Sequence, residues 1–343
     1  MVLEMTYPKL SVITPSFNQG PYIEQTILSI IHQNYPNLEY FIIDGGSKDD
    51  TVPILKKYEH EITYWISEPD RGQSHAINKG LRRATGEIVT WINSDDLVTE
   101  GTFFRVADIF QKESDQIGLI HGGTILFDQT GDLREDFGYE NPTLERYLSG
   151  MSFPQPSAYI RRKCLDKVGL LNETYHYGMD YDLFARLALV TKFKKVKDIF
   201  SKYRLHAESK SVALDRHFIE DWIRIFISIL HNLKLNWIRD ELKKLKIFDG
   251  YFSDPTEFDF DFHQKVIDVR LMLFYFLSYV FKADYRTGNF PRARVIGTYL
   301  KKNYKPYIEE DGELKKVIRR LTFFSDFFIA SVRMFQNKKN KIR

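Results

Sequence analysis

LSVITPSFNQGPYIEQTILSIIHQNYPNLEYFIID, residues 10–44, holds the strand, helix, strand cycle on which the reading of the fold turns. LSVITPS is a short β-branched run that ends near Pro15. Behind Pro21, a favourable first-turn residue, Ile23, Ile27, Ile30 and Ile31 recur at helical spacing. LEYFIID then returns to strand character. The cycle continues outward: DDTVPILKKY reads as a short helix, ITYWIS as strand, SHAINKGLRRA as helix, and EIVTWIN as the closing strand. Strands alternating with helices predict an α/β fold whose parallel sheet is covered on both faces.

In such sheets ligands sit beyond the carboxyl ends of the strands. Four turn sequences follow strands here: Thr14-Pro15-Ser16, Asp44-Gly45-Gly46-Ser47, Glu68-Pro69-Asp70-Arg71 and Asn93-Ser94-Asp95-Asp96. Each alone is an ordinary turn or helix cap. Together they predict a single rim carrying several carboxylates, one arginine and a flexible Gly-Gly pair. Adjacent aspartates would repel a pyrophosphate, whereas an oxygen-ligated divalent cation bridges the two. Asp95 and Asp96 offer hard oxygen ligands, which favours Mg²⁺ or Mn²⁺ over a soft metal.

Composition bounds the rest. The chain has 343 residues, 43% of them hydrophobic, enough to bury a substantial core. Basic and acidic residues nearly cancel, 49 against 46, so the net charge of +3 does not mark a nucleic-acid binder. The one cysteine, Cys164, has no internal disulfide partner and is not a candidate nucleophile. The amino-terminal residues do not read as a secretion signal, and neither LMLFYFLSYVF (271–281) nor LTFFSDFFIASVRMF (321–335) reads as a membrane span. A cytoplasmic location, extending to the inner face of the membrane, is the expectation. No GxGxxG, GxxxxGK[ST] or GxSxG motif supports a dinucleotide, P-loop or hydrolase reading.

From about Gly118 the alternation loosens. GLIHGGTILFD reads as a turn-rich stretch, DYDLFARLALV (180–190) as a helix, and FKKVKDIFSKYRLH as extended basic chain. Beyond Ala213 the sequence turns helical, with one hairpin expected at Gly288-Asn289. The expected division is 1–117, 118–212 and a helical extension over 213–343. Phe323, Phe324, Phe327, Phe328 and Phe335, with Arg319, Arg320, Arg333 and the final KKNKIR, leave two readings for the last helices. Burial or an oligomer contact is favoured, and docking on an anionic membrane is the alternative.

Five stretches taken in order carry a family resemblance: SVITPSFNQGPYIEQTILSIIHQNYPNLEYFIIDGGSKDDT, SEPDRGQSHAINKGLRRATGEIVTWINSDD, PQPSAYIRRKCLDKVGLLNE, YGMDYDLFARLA and YRLHAESKS. Over about residues 8–212 the chain resembles the family 2 glycosyltransferases. The resemblance implies the GT-A fold, a Rossmann-like nucleotide-diphospho-sugar transferase fold, with a helical carboxy-terminal extension. It implies an inverting enzyme that moves a sugar from a nucleotide diphosphate to a hydroxyl of a glycan or lipid-linked glycan in cell-surface polysaccharide synthesis.

The resemblance also assigns residues. Asp44 matches the carboxylate that binds the base or ribose, with Thr14 and Pro15 in the same pocket and Ser16, Gly45, Arg71 and Ser94 completing the nucleotide set. Asp95 matches the metal position of the Asp-x-Asp signature, whose first acid is replaced by Asn93. Asp180 matches the catalytic base, with Met179 where the family carries Glu and Asp182 as the internal rival. His206 matches a metal or diphosphate ligand, and Arg204 and Lys210 are candidate phosphate contacts. His75 stands where relatives often carry an acid. Two other readings compete: a sugar-nucleotide nucleotidyltransferase, and a non-catalytic carbohydrate-binding or scaffold descendant of the enzyme.

Overall fold

The computed structural model describes residues 7–206, 216–248, 255–262, 266–329 and 331. The chain divides into an α/β unit, Met1–Tyr147 with Met151–Ala213 and Phe258–Lys265, and a helical unit, Leu148–Gly150 with Leu214–Glu257 and Val266–Arg343.

The α/β unit begins with the cycle read from the sequence: β1 (Leu10–Ser16), α1 (Ile23–Ile31), β2 (Leu38–Asp44), α2 (Thr51–Lys57), β3 (Tyr64–Ser67), α3 (Gln73–Arg83) and β4 (Ile88–Trp91). These four strands are mutually parallel in the order β3-β2-β1-β4. β1 lies centrally and is buried along its whole length. Its side chains alternate: Leu10 and Val12 join Ile23, Ile27 and Ile30 of α1 in one apolar cluster. Ile13 faces α3, where a Cβ on Gly80 would come within 2.6 Å of Ile13 Cγ2, so glycine permits that close approach.

The sheet continues through β5 (Leu97–Val98), α4 (Thr102–Lys112), β6 (Ile117–Asp128), β7 (Gly131–Asp136), α5 (Leu144–Tyr147), β8 (Ala158–Arg161), α6 (Arg162–Val168), α7 (Met179–Val190) and β9 (Lys192–Arg204). Beyond β4 the order runs β8-β6-β9-β5, with β7 paired to β6. β8 is antiparallel to both β4 and β6, whereas β9 is parallel to β6.

The turn-rich reading of GLIHGGTILFD is corrected, since those residues form most of β6, a strand of 12 residues. Its glycines answer to crowding rather than to turns. A Cβ on Gly118 would lie 2.4 Å from Cys164 Sγ, one on Gly122 the same distance from the Asp198 carbonyl, and one on Gly123 2.5 Å from the Phe137 ring. Cys164 itself is buried, and burial raises its thiol pKa, the opposite of an activated thiolate.

The helical unit contains α8 (Arg216–Asn232), α9 (Trp237–Lys244), α10 (Val269–Thr287), α11 (Phe290–Asn303), α12 (Lys305–Glu310) and α13 (Gly312–Phe323). The expected hairpin joins α10 to α11 at Gly288, whose φ of 88° is the left-handed cap that glycine adopts without strain. Phe226 and Phe276 stack at 3.8 Å between α8 and α10, and buried Asp284 pairs with Arg292 at 2.7 Å. Of the favoured reading, burial or an oligomer contact, the burial half fails for four of the last phenylalanines: Phe323, Phe324, Phe327 and Phe328 are exposed. Phe335, Arg333 and the terminal basic run lie outside the described residues. Among the described residues, no helix is long and apolar enough to cross a membrane.

Candidate active site

Register explains why the rim loops meet. Ser16 is paired with Asp44, Asp44 with Ser67, and Ile13 with Trp91, so β1 to β4 release their loops at one edge. A cleft of about 600 Å³ opens there, within the α/β unit. Pro15, Ser16, Phe17 and Gln19 line it after β1, Gly45 after β2, and Asp70, Gly72, Gln73 and Ala76 across the entrance to α3. Asn93, Ser94 and Asp95 line it after β4, and Tyr203 and His206 enter from the end of β9.

β9 reaches this edge by pairing antiparallel with β5, Leu97 opposite Lys202 and Val98 opposite Ser201. The same register brings Arg204 to the turn after β4, where its amide donates to Asp96 Oδ1 at 3.0 Å and its Nε to the Asp95 carbonyl at 2.9 Å. Two residues on, His206 Nε2 lies 2.9 Å from Asp95 Oδ2. Both side chains are largely shielded, His206 12% and Asp95 22% exposed, and both line the cleft.

Asp96 has a different fate. It is buried, and burial, followed by the neighbouring Asp95 charge, raises its pKa well above the ordinary carboxylate range. Its Oδ2 accepts from Asn93 Nδ2 at 3.3 Å, while Asn93 Oδ1 accepts from Gln73 Nε2 at 2.7 Å. The amide at position 93 therefore donates to one neighbour and accepts from another. An ionised aspartate there could only accept, and would add a third carboxylate to the turn.

Asp44 and Thr14 lie beneath the rim rather than on the cleft wall. The Asp44 carboxylate accepts from the amides of Gly46 (3.1 Å) and Ser47 (2.9 Å) and from the hydroxyls of Ser47 and Ser67 (both 2.5 Å). Thr14 Oγ1 and Tyr40 OH share a buried bond of 3.2 Å. Asp44 thus shapes the loop from which Gly45 faces the cleft; a Cβ on Gly45 would lie 2.9 Å from Asp70 Oδ2.

Asp180 is half-buried at the start of α7 and is not among the lining residues; its Oδ1 accepts from the Tyr181 amide at 2.8 Å. The preceding Met179 receives the Ser74 hydroxyl on its sulfur at 2.8 Å, which anchors α7 beside the first turn of α3 and hence beside Gln73 and Ala76. Asp182, the rival, is 1% exposed and bound to Arg186 at 2.7 Å; Arg186 also donates to the carbonyls of Val168 and Leu170. That carboxylate holds α7 in place.

Arg71 points to Glu173 at 2.6 Å and does not line the cleft. Arg204 packs between the Tyr22 and Phe127 rings and donates to Gln25 Oε1 at 2.7 Å, so it frames the Asp95 turn. Lys210 lies outside the described residues. Asp70 lines the cleft as the rim turn Glu68–Arg71 implied, whereas Phe17, Gln19, Gly72, Gln73, Ala76 and Tyr203 were not singled out from the sequence. Most stand within a few positions of a rim motif, and Phe17, 59% exposed directly after Ser16, is the clearest signal.

Among the described residues no three His, Cys, Asp or Glu side chains form a metal cage. Asp95 and His206 form a two-donor set. Such a set fits a divalent ion that keeps waters and binds phosphate oxygens, because an ion of this kind needs only one or two protein ligands. Ser16 Oγ and Gln19 Oε1 are buried polar atoms without a partner among the described residues, another mark of a site built for a polar ligand.

A mixed sheet with a cleft at the carboxyl edge of its parallel strands, faced by an acid and a histidine, defines an α/β protein whose candidate ligand site lies at the strand ends. Residues 11–169 match the family model described as glycosyl transferase family 2. The matched stretch lies within the α/β unit, which has the GT-A fold. It is 27% identical over 245 residues to an uncharacterized glycosyltransferase of Rickettsia conorii, a match that covers 67% of this chain and 39% of the relative. This chain therefore spans about two fifths of that relative's length. Among solved structures it is similar to the mannosyltransferase PcManGT from Pyrobaculum calidifontis in complex with GDP-Man and Mn²⁺: TM-score 0.54, 17% identity, 93% of this chain and 87% of that one. It is also similar to S. aureus TarS 1-349 in complex with UDP-GlcNAc: TM-score 0.53, 16% identity, 91% and 90% of the two chains.

Proposed function

We propose that this protein is an inverting glycosyltransferase that moves a sugar from a nucleoside diphosphate to a hydroxyl of a glycan or lipid-linked glycan, in cell-surface polysaccharide synthesis on the cytoplasmic side. The observation that carries the proposal is the Asp95–His206 pair facing a cleft at the carboxyl edge of the parallel strands. The GDP-Man and UDP-GlcNAc complexes of the two structural neighbours support the class of donor, and the family resemblance alone supports the acceptor and pathway.

In this reading the nucleotide enters between Phe17 and the Gly45 loop, whose missing side chain leaves room against Asp70. The diphosphate lies toward Asp95 and His206. A Mn²⁺ or Mg²⁺ ion held by these two side chains would neutralise charge on the departing diphosphate. Asp180 takes the proton of the acceptor hydroxyl as that oxygen bonds to the anomeric carbon from the face opposite the breaking carbon–phosphate oxygen bond. One proton moves to Asp180, and the nucleoside diphosphate leaves with the bonding pair.

The test is a donor screen with UDP- and GDP-sugars in the presence of Mn²⁺ or Mg²⁺, reading binding by calorimetry and release of nucleoside diphosphate with glycan acceptors. Saturable donor binding together with release supports the proposal. Pyrophosphate formed from a nucleoside triphosphate and a sugar phosphate would assign a nucleotidyltransferase instead, and glycan binding without donor binding would assign the non-catalytic descendant.

A further inference from the structure

The end of the helical unit carries an unusual combination. Phe323 and Phe327 are 72% and 83% exposed, and Phe324 stacks on Phe328 at 4.9 Å with both rings partly in solvent. Lys316, Arg319 and Arg320 of α13 are exposed beside them. Residues 312–343 contain nine Lys or Arg against two acids, Glu313 and Asp326, a net of +7 in a chain whose total is +3. Both acids are already engaged: Glu313 with Lys282 at 3.2 Å, and Asp326 with Arg294 at 2.6 Å. Of the described cations here, Lys315 pairs with Glu309, whereas Lys316, Arg319 and Arg320 make no ion pair among the described residues.

We propose that the α13 end of the helical unit docks on an anionic lipid bilayer, with Phe323 and Phe327 entering the headgroup boundary and Arg319 and Arg320 meeting lipid phosphates. Aromatic rings flanked by cations are the chemistry that such an interface accepts, and no membrane-crossing helix is required of the described residues. A second, independent feature lies on the same unit. A cavity of about 530 Å³ has an apolar floor that includes Phe281, Gly297 and Leu321, with Lys301 and Lys302 exposed along its wall. That pairing of grease and cation suits one acyl chain and its phosphate. A second copy of this chain is the poorer occupant, because a two-fold contact would set the same unpaired cations against each other.

Flotation of the full chain with vesicles decides the matter, comparing phosphatidylcholine alone with equal parts phosphatidylcholine and phosphatidylglycerol. Binding to the anionic vesicles at low salt, weakening as salt rises, is expected. Phe323→Ser with Phe327→Ser, and separately Arg319→Glu with Arg320→Glu, should each cut the bound fraction at least about tenfold, while melting temperature and nucleotide binding stay unchanged. No flotation at low salt, equal flotation with neutral vesicles, or undiminished flotation of the phenylalanine variant would overturn the proposal. So would a dimer seen by light scattering that the same phenylalanine changes dissociate, which would name a second copy as the occupant.

Discussion

His206 Nε2 and Asp95 Oδ2 stand 2.9 Å apart, although 111 positions separate the two residues along the chain. The β5–β9 pairing brings them together, and Arg204 locks the turn that carries Asp95. An imidazole nitrogen and a carboxylate oxygen facing one cleft form the donor pair on which the proposed nucleotide chemistry depends.

Loss of that pair should appear in binding before it appears in turnover. We expect Asp95→Ala and His206→Ala each to weaken Mn²⁺-dependent nucleoside diphosphate binding at least about tenfold. Chelation of the metal should bring the parent protein to the same weak level. Calorimetry with Mn²⁺ and with chelator checks this, and an unchanged affinity in Asp95→Ala would remove the pair from the site.

Asp180→Asn should keep donor binding and lose transfer by about 10²–10⁴-fold, since the side chain would still accept a hydrogen bond but could no longer take a proton. Steady-state release of nucleoside diphosphate, measured with acceptor present, reads this directly. Parent-like rates would exclude Asp180 as the base.

Asp182→Ala should behave differently because its partner is buried. Removing one member of the Asp182–Arg186 pair leaves an uncompensated guanidinium, at a cost of about 3–5 kcal/mol. Thermal or urea unfolding should show a large loss for Asp182→Ala and little for Asp180→Asn. Similar stability in the two variants would contradict the structural role assigned to Asp182.

Asn93→Asp restores the acid of the family signature but removes the donor to Asp96 and adds charge beside a buried carboxyl. A loss of about 1–3 kcal/mol in unfolding free energy is expected. A variant as stable as the parent would show that the amide is dispensable to this turn.

His121 offers a pH readout away from the cleft. Its ring is buried and stacks on Phe153 at 4.1 Å; burial, with a smaller contribution from the Lys195 charge, lowers its pKa to about 3. The unfolded chain therefore takes up this proton near the ordinary histidine value of about 6.5, while the folded chain does not. Stability associated with His121 is complete above that value and falls as pH drops toward about 3. Imidazole resonances recorded at pH 5 should show a neutral ring, and a protonated one would falsify the assignment.

Local pattern carried most of the first hundred residues. β-Branched runs, isoleucines at helical spacing and the turn residues between them were legible because each element is decided by its own neighbours, and the segment between Leu10 and Trp91 folds as that pattern implies. β6 was not legible: its glycines resemble turn signals until Cys164, Asp198 and Phe137, all distant in sequence, are seen to crowd them. The motif residues were likewise legible as types but not as roles. Asp44 and Asp95 each end a strand followed by a polar turn, yet one is consumed by four hydrogen bonds and the other faces the cleft.

By itself, the sequence determined the alternation of strands and helices, the edge at which a ligand would gather and the family model that residues 11–169 match. Tertiary structure alone decided that His206 meets Asp95, that Asp182 is spent on Arg186 and that Phe323 and Phe327 stay in solvent. Periodicity records what a residue does to its neighbours along the chain, whereas register, burial and the competition for hydrogen bonds depend on segments that meet only after folding.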